Sequence, residues 1–264
     1  MSSTSSLANK INNAPNLDFG DIFNRAVELF KKVWVQGLLL QIIVLLISLP
    51  FTLTLYWPMV SIMMEEMRSG VVDPDVFDGL FYGMSTLYVI SYYGIIFLLN
   101  VMTYLIYSGF YNIVRKIDHG EEVQISDFFH YVKGQYLGRM VLLVLAMFLI
   151  SFIAMMMCVL PIFYAMIPLM FFLPFFAFNP EMSIGDIVDG AFRLGTKKWL
   201  ITFGLVIVTI LILIPLVLLT CGLGVFFFAS FIYLPTYLIY KDVIGFNNKK
   251  SDVYDIRVSD DNID

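Results

Sequence analysis

LITFGLVIVTILILIPLVLLTCGLGVFFFASFIYLPTYLIY, residues 200–240, runs for forty-one positions without a charged side chain. A bilayer's hydrocarbon core is about 30 Å thick and one helix crosses it with roughly 20 apolar residues, so this stretch is long enough to cross twice. At its centre Thr220, Cys221, Gly222, Leu223 and Gly224 have the composition of a tight turn. The stretch therefore reads as a membrane hairpin.

The rest of the chain divides by the same rule. Residues 140–180 are also uncharged and of doubled length, with Pro161 near the middle where the chain would reverse. Residues 79–114 carry no charge and hold one further span, and another runs from Val35 to Tyr56, behind Lys31 and Lys32. Six spans are expected, near 35–56, 83–107, 140–160, 162–180, 200–220 and 223–240. Composition agrees, because 59% of the 264 residues are hydrophobic and only 14% are charged, against about a quarter charged in soluble domains. The expected fold class is an all-α polytopic membrane protein.

Lys and Arg flanking membrane spans are retained on the cytoplasmic side. With both termini cytoplasmic, fifteen of the sixteen basic residues lie inside and only Arg68 lies outside. The exterior then holds one acidic loop, residues 57–82, and two minimal turns. The N-terminal residues 1–16 are polar and lack an apolar core, so they read as a flexible tail and not as a cleavable signal. Residues 247–264, rich in Asp, Asn, Lys and Ser, read as a second flexible, cytoplasmic tail.

Between the spans lie amphipathic stretches, expected near 18–33, 125–139 and 183–198. Sliding the chain by 165 positions places Gly20, Asp21, Ile22, Ala26, Leu29, Lys32 and Trp34 on identical residues at 185, 186, 187, 191, 194, 197 and 199. Pro50 also falls on Pro215 without a gap. This is the signature of internal parallel repeats, each an amphipathic helix followed by a hairpin; a weaker third copy begins at Ile125. In 18–33 the residues Ile22, Phe23, Ala26, Leu29, Phe30 and Val33 follow helical spacing, with Asp21, Arg25, Glu28, Lys31 and Lys32 on the other face. Such helices are expected to lie in the membrane interface. Lys31, Lys32 and Trp34, with Lys197, Lys198 and Trp199, are the candidate lipid-interface residues, the lysines facing anionic headgroups and the indoles at headgroup depth. A purely topological role for the lysines fits the same residues.

Chemistry-bearing motifs are sparse. No acid, base or histidine falls inside a span, which disfavours an ion- or proton-coupled pathway. The only histidines, His119 and His130, and the only cysteines, Cys158 and Cys221, do not assemble a metal site at ligand spacing. Cys158 and Cys221 fall near the outer ends of their spans, where either a disulfide or two free thiols fit. Gln41, Asn100 and Thr103 are polar residues within spans and read as interhelical hydrogen-bonding groups. The fourth span carries Pro161, Pro168, Pro174 and Pro180. Proline removes a backbone donor and kinks a helix, so Pro168 and Pro174 are the candidate kinks beside a cavity.

PFFAFNPEMSIGDIVDGAFRLGTKKWL (174–200), LPTYLIYKDV (234–243) and LDFGDIFNRAVELFKKVWVQG (17–37) together resemble a broad set of bacterial six-helix membrane proteins. That set includes the membrane domain attached to some glycerophosphodiester phosphodiesterases and uncharacterised Bacteroidetes-type proteins. The resemblance implies a bacterial inner-membrane location, and no phosphodiesterase motif accompanies it. The reading that follows is a non-enzymatic scaffold, assembly or membrane-organising protein without a cofactor. Its expected partners are membrane lipids and other membrane proteins or further copies of itself, and not nucleic acid. The alternative is a carrier or flippase for an uncharged or lipid-like substrate.

Overall fold

The computed structural model describes residues 2–70, 86–157 and 159–246, and among them contains helices and no strand. The helices are α1 (Ser2–Asn12), α2 (Phe19–Ser69), α3 (Thr86–Asp118), α4 (Gly134–Met156), α5 (Val159–Met170), α6 (Phe172–Phe178), α7 (Ile184–Lys197), α8 (Trp199–Leu219), α9 (Gly224–Phe228) and α10 (Tyr233–Val243). Single 3-10 turns occupy Ile125–Phe129 and Ala229–Ile232. Six segments are long and apolar enough to cross a membrane: Phe19–Thr54, Val89–Asp118, Gly134–Met156, Leu160–Phe178, Trp199–Leu219 and Gly224–Val243. The protein is an all-α, multi-pass membrane protein.

Spans four and six are central, with 56% and 50% of their most apolar windows buried, against 11% for the first. Leu46, Leu53, Leu142, Leu149, Leu211 and Leu218 are exposed on the peripheral helices. Such residues need no protein partner where the surrounding medium is hydrocarbon. The core is densest toward one end, where Phe171, Phe172, Phe175 and Phe176 are fully buried with Tyr111, Tyr237 and Tyr240. Phe175 meets Tyr240 edge to face at 5.1 Å, a geometry that favours the ring quadrupoles.

The amphipathic stretches over 18–33 and 183–198 bury their apolar stripes within the bundle. In α2 the stripe Ile22, Ala26, Leu29 and Val33 is buried, and the helix runs on into the span without a break. Its 51 residues extend it to about 75 Å at 1.5 Å per residue, well beyond the bilayer core. The loop expected over 57–82 is therefore helical up to Ser69, and residues 71–85 lie outside those described. In α7 the buried face is Ile187, Gly190, Ala191, Leu194 and Gly195, packed against α1, α5 and α6. Both apolar stripes are covered by other helices of the bundle.

The two stretches do share a start. Asp18 caps α2 by accepting from the Asp21 backbone N–H at 2.8 Å, and Ser183, at the matching position, caps α7 by accepting from Asp186 at 3.1 Å. Each satisfies a donor that helix geometry leaves without a partner. The third stretch differs, since 125–139 forms no single amphipathic helix. Its Ile125–Phe129 turn is closed by Asp127 on the Gln124 backbone N–H, and α4 begins only at Gly134.

The N-terminal residues are not a free tail. Ser2–Asn12 is helical, with Leu7 and Ile11 buried and Lys10 Nζ donating to the Ile244 carbonyl at 2.9 Å. Residues 247–264 lie outside those described, so the second expected tail is untouched by these observations. Asn100 also departs from expectation: its amide donates within α3, to Ile96 at 2.8 Å, and not to another helix.

Candidate functional site: an ionic end and a cavity beneath it

Charged residues gather where the N-terminal end of α2 meets the C-terminal ends of α3 and α10. Arg25 grips Asp242 with two nitrogens, at 2.7 and 2.8 Å, and reaches Asp21 at 3.0 Å. Lys241 and the Tyr237 hydroxyl both donate to Asp118, at 2.5 and 2.7 Å. Lys116 pairs with Asp127 at 2.7 Å, and Arg139 donates to the Pro180 carbonyl at 2.6 Å. Arg115 lies over the rings of Phe178 and Phe246, at 6.0 and 5.9 Å. Bidentate and multiply bonded pairs of this kind hold defined geometry where single exposed pairs do not. The start of the first span and the end of the last are thereby locked together on one side of the bundle.

Asp127 and His130 sit in the loop beside this lattice. Burial pushes the Asp127 carboxyl upward, but the Gln124 N–H and Lys116 outweigh it and hold the group below the usual carboxylate range. Burial lowers His130, and Lys133 adds to the effect against a smaller opposing pull from Asp127. Its ring packs on Tyr131 and Tyr136. A histidine depressed on folding binds fewer protons in the native state than in the unfolded one, so stability falls as pH drops below about 6.5. We expect the apparent Tm in detergent to fall between pH 8 and pH 5 and the His130→Gln variant to show a shallower fall. An equal slope in both proteins would remove His130 as the cause.

Each residue expected at the lipid interface or beside a cavity has a defined place. Lys31, Lys32 and Trp34 stand on the exposed side of α2, Trp34 at 43% exposure, with Lys31 bonded to Glu28 at 2.5 Å. Lys198 is buried and Lys197 exposed, and both reach back to the chain. They donate to the carbonyls of Asn12 and Pro15, fastening the segment that follows α1. Lys198 is buried, and that burial, with Lys197 beside it, lowers its pKa.

Trp199 is tied to Pro168. A proline at 168 cannot donate to the Tyr164 carbonyl one turn earlier, and the Trp199 indole N–H occupies that carbonyl at 3.1 Å. The Tyr164 hydroxyl bonds Thr196 at 2.6 Å on the same seam. Span four is broken at Phe171, between α5 and α6. Pro174 is buried within α6.

A cavity of about 530 Å³ lies beside span four, bounded by Tyr104 and Tyr111 of α3, Met147 and Ser151 of α4, Met166 and Met170 of α5, and Tyr233 of α10. Pro168 and Pro174 do not line it; Pro168 faces α7, and their chain neighbours Leu169, Met170 and Leu173 form part of the wall. No charged residue borders it. The Tyr111 hydroxyl is bonded to Thr236 at 2.8 Å, and the rings of Tyr107 and Tyr233 lie 5.0 Å apart. The sequence reading named Pro168 and Pro174 of the fourth span and did not single out the tyrosines. Their spacing at 104, 107 and 111 within an uncharged helix was the available signal.

No protein-family model, curated protein or solved structure matches this chain. The geometry therefore carries the functional reading by itself. Among the described residues no three His, Cys, Asp or Glu side chains converge at metal-binding distance. His119 is bonded to the Arg115 carbonyl at 2.7 Å and packs on Phe246. Cys221 is an exposed free thiol in the α8–α9 turn, and its suggested partner Cys158 lies outside the described residues.

Proposed function

We propose that the chain is a non-enzymatic, membrane-organising scaffold of the bacterial inner membrane, with both termini cytoplasmic. The observation that carries this reading is the ionic lattice. Arg25–Asp242, Lys241–Asp118 and Lys116–Asp127 engage acids and bases with one another, making a fixed polar face in place of a set of groups available for proton transfer. The matching caps and buried stripes of α2 and α7 support a duplicated unit. The resemblance to six-helix bacterial membrane domains belongs to the same proposal.

Orientation rests on the distribution of basic residues. A single cysteine replacing Arg68, with Cys158 and Cys221 changed to serine, should react with an impermeant maleimide added to intact cells. A cysteine replacing Lys133 should react only after the membrane is opened. The reverse pattern would invert the topology.

The scaffold reading is tested by reconstitution. In liposomes containing a fluorescent uncharged glycolipid, exchange between leaflets should match that of protein-free vesicles. A protein-dependent rate would overturn the scaffold reading in favour of a flippase, which the cavity beside span four supports as the second reading. In that case Met166→Trp, which fills the cavity, should abolish the rate.

A further inference from the structure

We infer that the cavity between α3, α4, α5 and α10 is a binding site for one neutral lipid, an uncharged molecule with a long apolar chain and a hydroxyl or carbonyl oxygen. The inference goes beyond the scaffold reading and does not depend on transport. A protein that binds such a lipid and moves nothing satisfies both.

Depth comes first. Tyr111 lies seven residues before the end of α3, and Ser151 lies seventeen residues into α4. At 1.5 Å per residue the cavity extends from about 10 to about 25 Å beneath the ionic end of the bundle. Its walls therefore sit within the hydrocarbon layer, and what enters them comes from the membrane. A charged headgroup does not follow, because the walls offer no charged partner and burying an unpaired charge costs many kcal/mol.

Size is the second constraint. If a methylene takes about 30 Å³, close to the share of one water molecule, the cavity accommodates on the order of 17 such groups. That is a single long chain or a compact ring with a shorter chain. Met147, Met166 and Met170 line it, and unbranched thioethers adapt to irregular apolar shapes.

Selectivity decides the class. An ordinary acyl chain gains almost nothing by leaving lipid for an apolar cavity, since lipid tails are as apolar as its walls. A preference must come from polar groups. Tyr104 and Ser151 both line the cavity, and among the described residues neither hydroxyl has a hydrogen-bond partner. A hydroxyl without a partner in hydrocarbon is unfavourable, and a ligand oxygen placed between the two relieves it. Monoacylglycerols and short-chain isoprenoid quinones share that chemistry.

The test uses the full chain in nanodiscs of phosphatidylethanolamine and phosphatidylglycerol. These are titrated separately with monooleoylglycerol and with menaquinone-2, each carrying one chain, and bound lipid is read by native mass spectrometry. Saturable binding of one molecule per chain by either probe supports the site, and the probe that binds distinguishes a glycerolipid from an isoprenoid. The double variant Tyr104→Phe, Ser151→Ala keeps the shape, removes both hydroxyls and should weaken binding about tenfold, or 1.4 kcal/mol. Met166→Trp should abolish it. Binding of neither probe, equal retention of added phosphatidylglycerol, or unchanged affinity in the double variant would each overturn the inference.

Discussion

Replacing Gly195 with alanine will lower the apparent Tm of the detergent-solubilised protein by about 2–12 °C. A Cβ at this position would stand 2.5 Å from the Pro168 Cα and 2.8 Å from its nitrogen. The neighbour is backbone, so no side-chain rotation relieves the clash and α5 must move from α7. Overpacking of this kind costs about 1–3 kcal/mol and sometimes more, and each kcal/mol moves Tm by about 2–4 °C for a chain of this length. The damage will not stop at one contact. The Trp199–Tyr164 bond lies on the same seam, and separating the helices frees the carbonyl that the indole now satisfies. Gly138→Ala is the control, because a Cβ there meets nothing within 4 Å and alanine favours the helix by up to about 1 kcal/mol. Equal Tm values for the Gly195 and Gly138 variants would refute the close approach of α5 and α7.

The second large effect is expected at Asp118. Its side chain is 18% exposed and accepts from both Lys241 and Tyr237. Asp118→Ala leaves an ammonium group and a phenol without their acceptor at the junction of α3 and α10. Breaking a fully buried pair costs about 3–5 kcal/mol and an exposed one under about 1 kcal/mol. The partial exposure of Lys241, at 32%, puts the loss near 2 kcal/mol, or about 4–8 °C in apparent Tm. Asp118→Asn retains one acceptor oxygen and should fall between that variant and wild type. A double-mutant cycle with Lys241→Met isolates the pair, and a coupling energy near zero would show that it contributes nothing to the bundle.

The spans were legible because length and absence of charge are one-dimensional properties. Residues 200–240 cannot be placed in water at acceptable cost, whatever their neighbours. The caps at Asp18 and Ser183 are equally local, since an N-cap satisfies donors only three residues away. The buried faces of α2 and α7 could be read from periodicity, but what covers them could not. An apolar stripe is indifferent in sequence to whether lipid or protein lies against it, and here α1 and the Phe171–Phe176 cluster occupy that place on α7.

The same limit explains the interface lysines and the prolines. Lys197 and Lys198 show in sequence that positive charge stands at the start of a span, and only the path of residues 12–15 turns them toward the Asn12 and Pro15 carbonyls. Pro168 announces a missing donor, while the identity of the group that replaces it is a long-range fact, supplied by Trp199 thirty-five residues from Tyr164. Sequence alone determined the all-α class and the six spans, each set by local hydrophobicity. The tertiary structure decided the ionic lattice and the cavity, because both depend on which helix ends and faces meet.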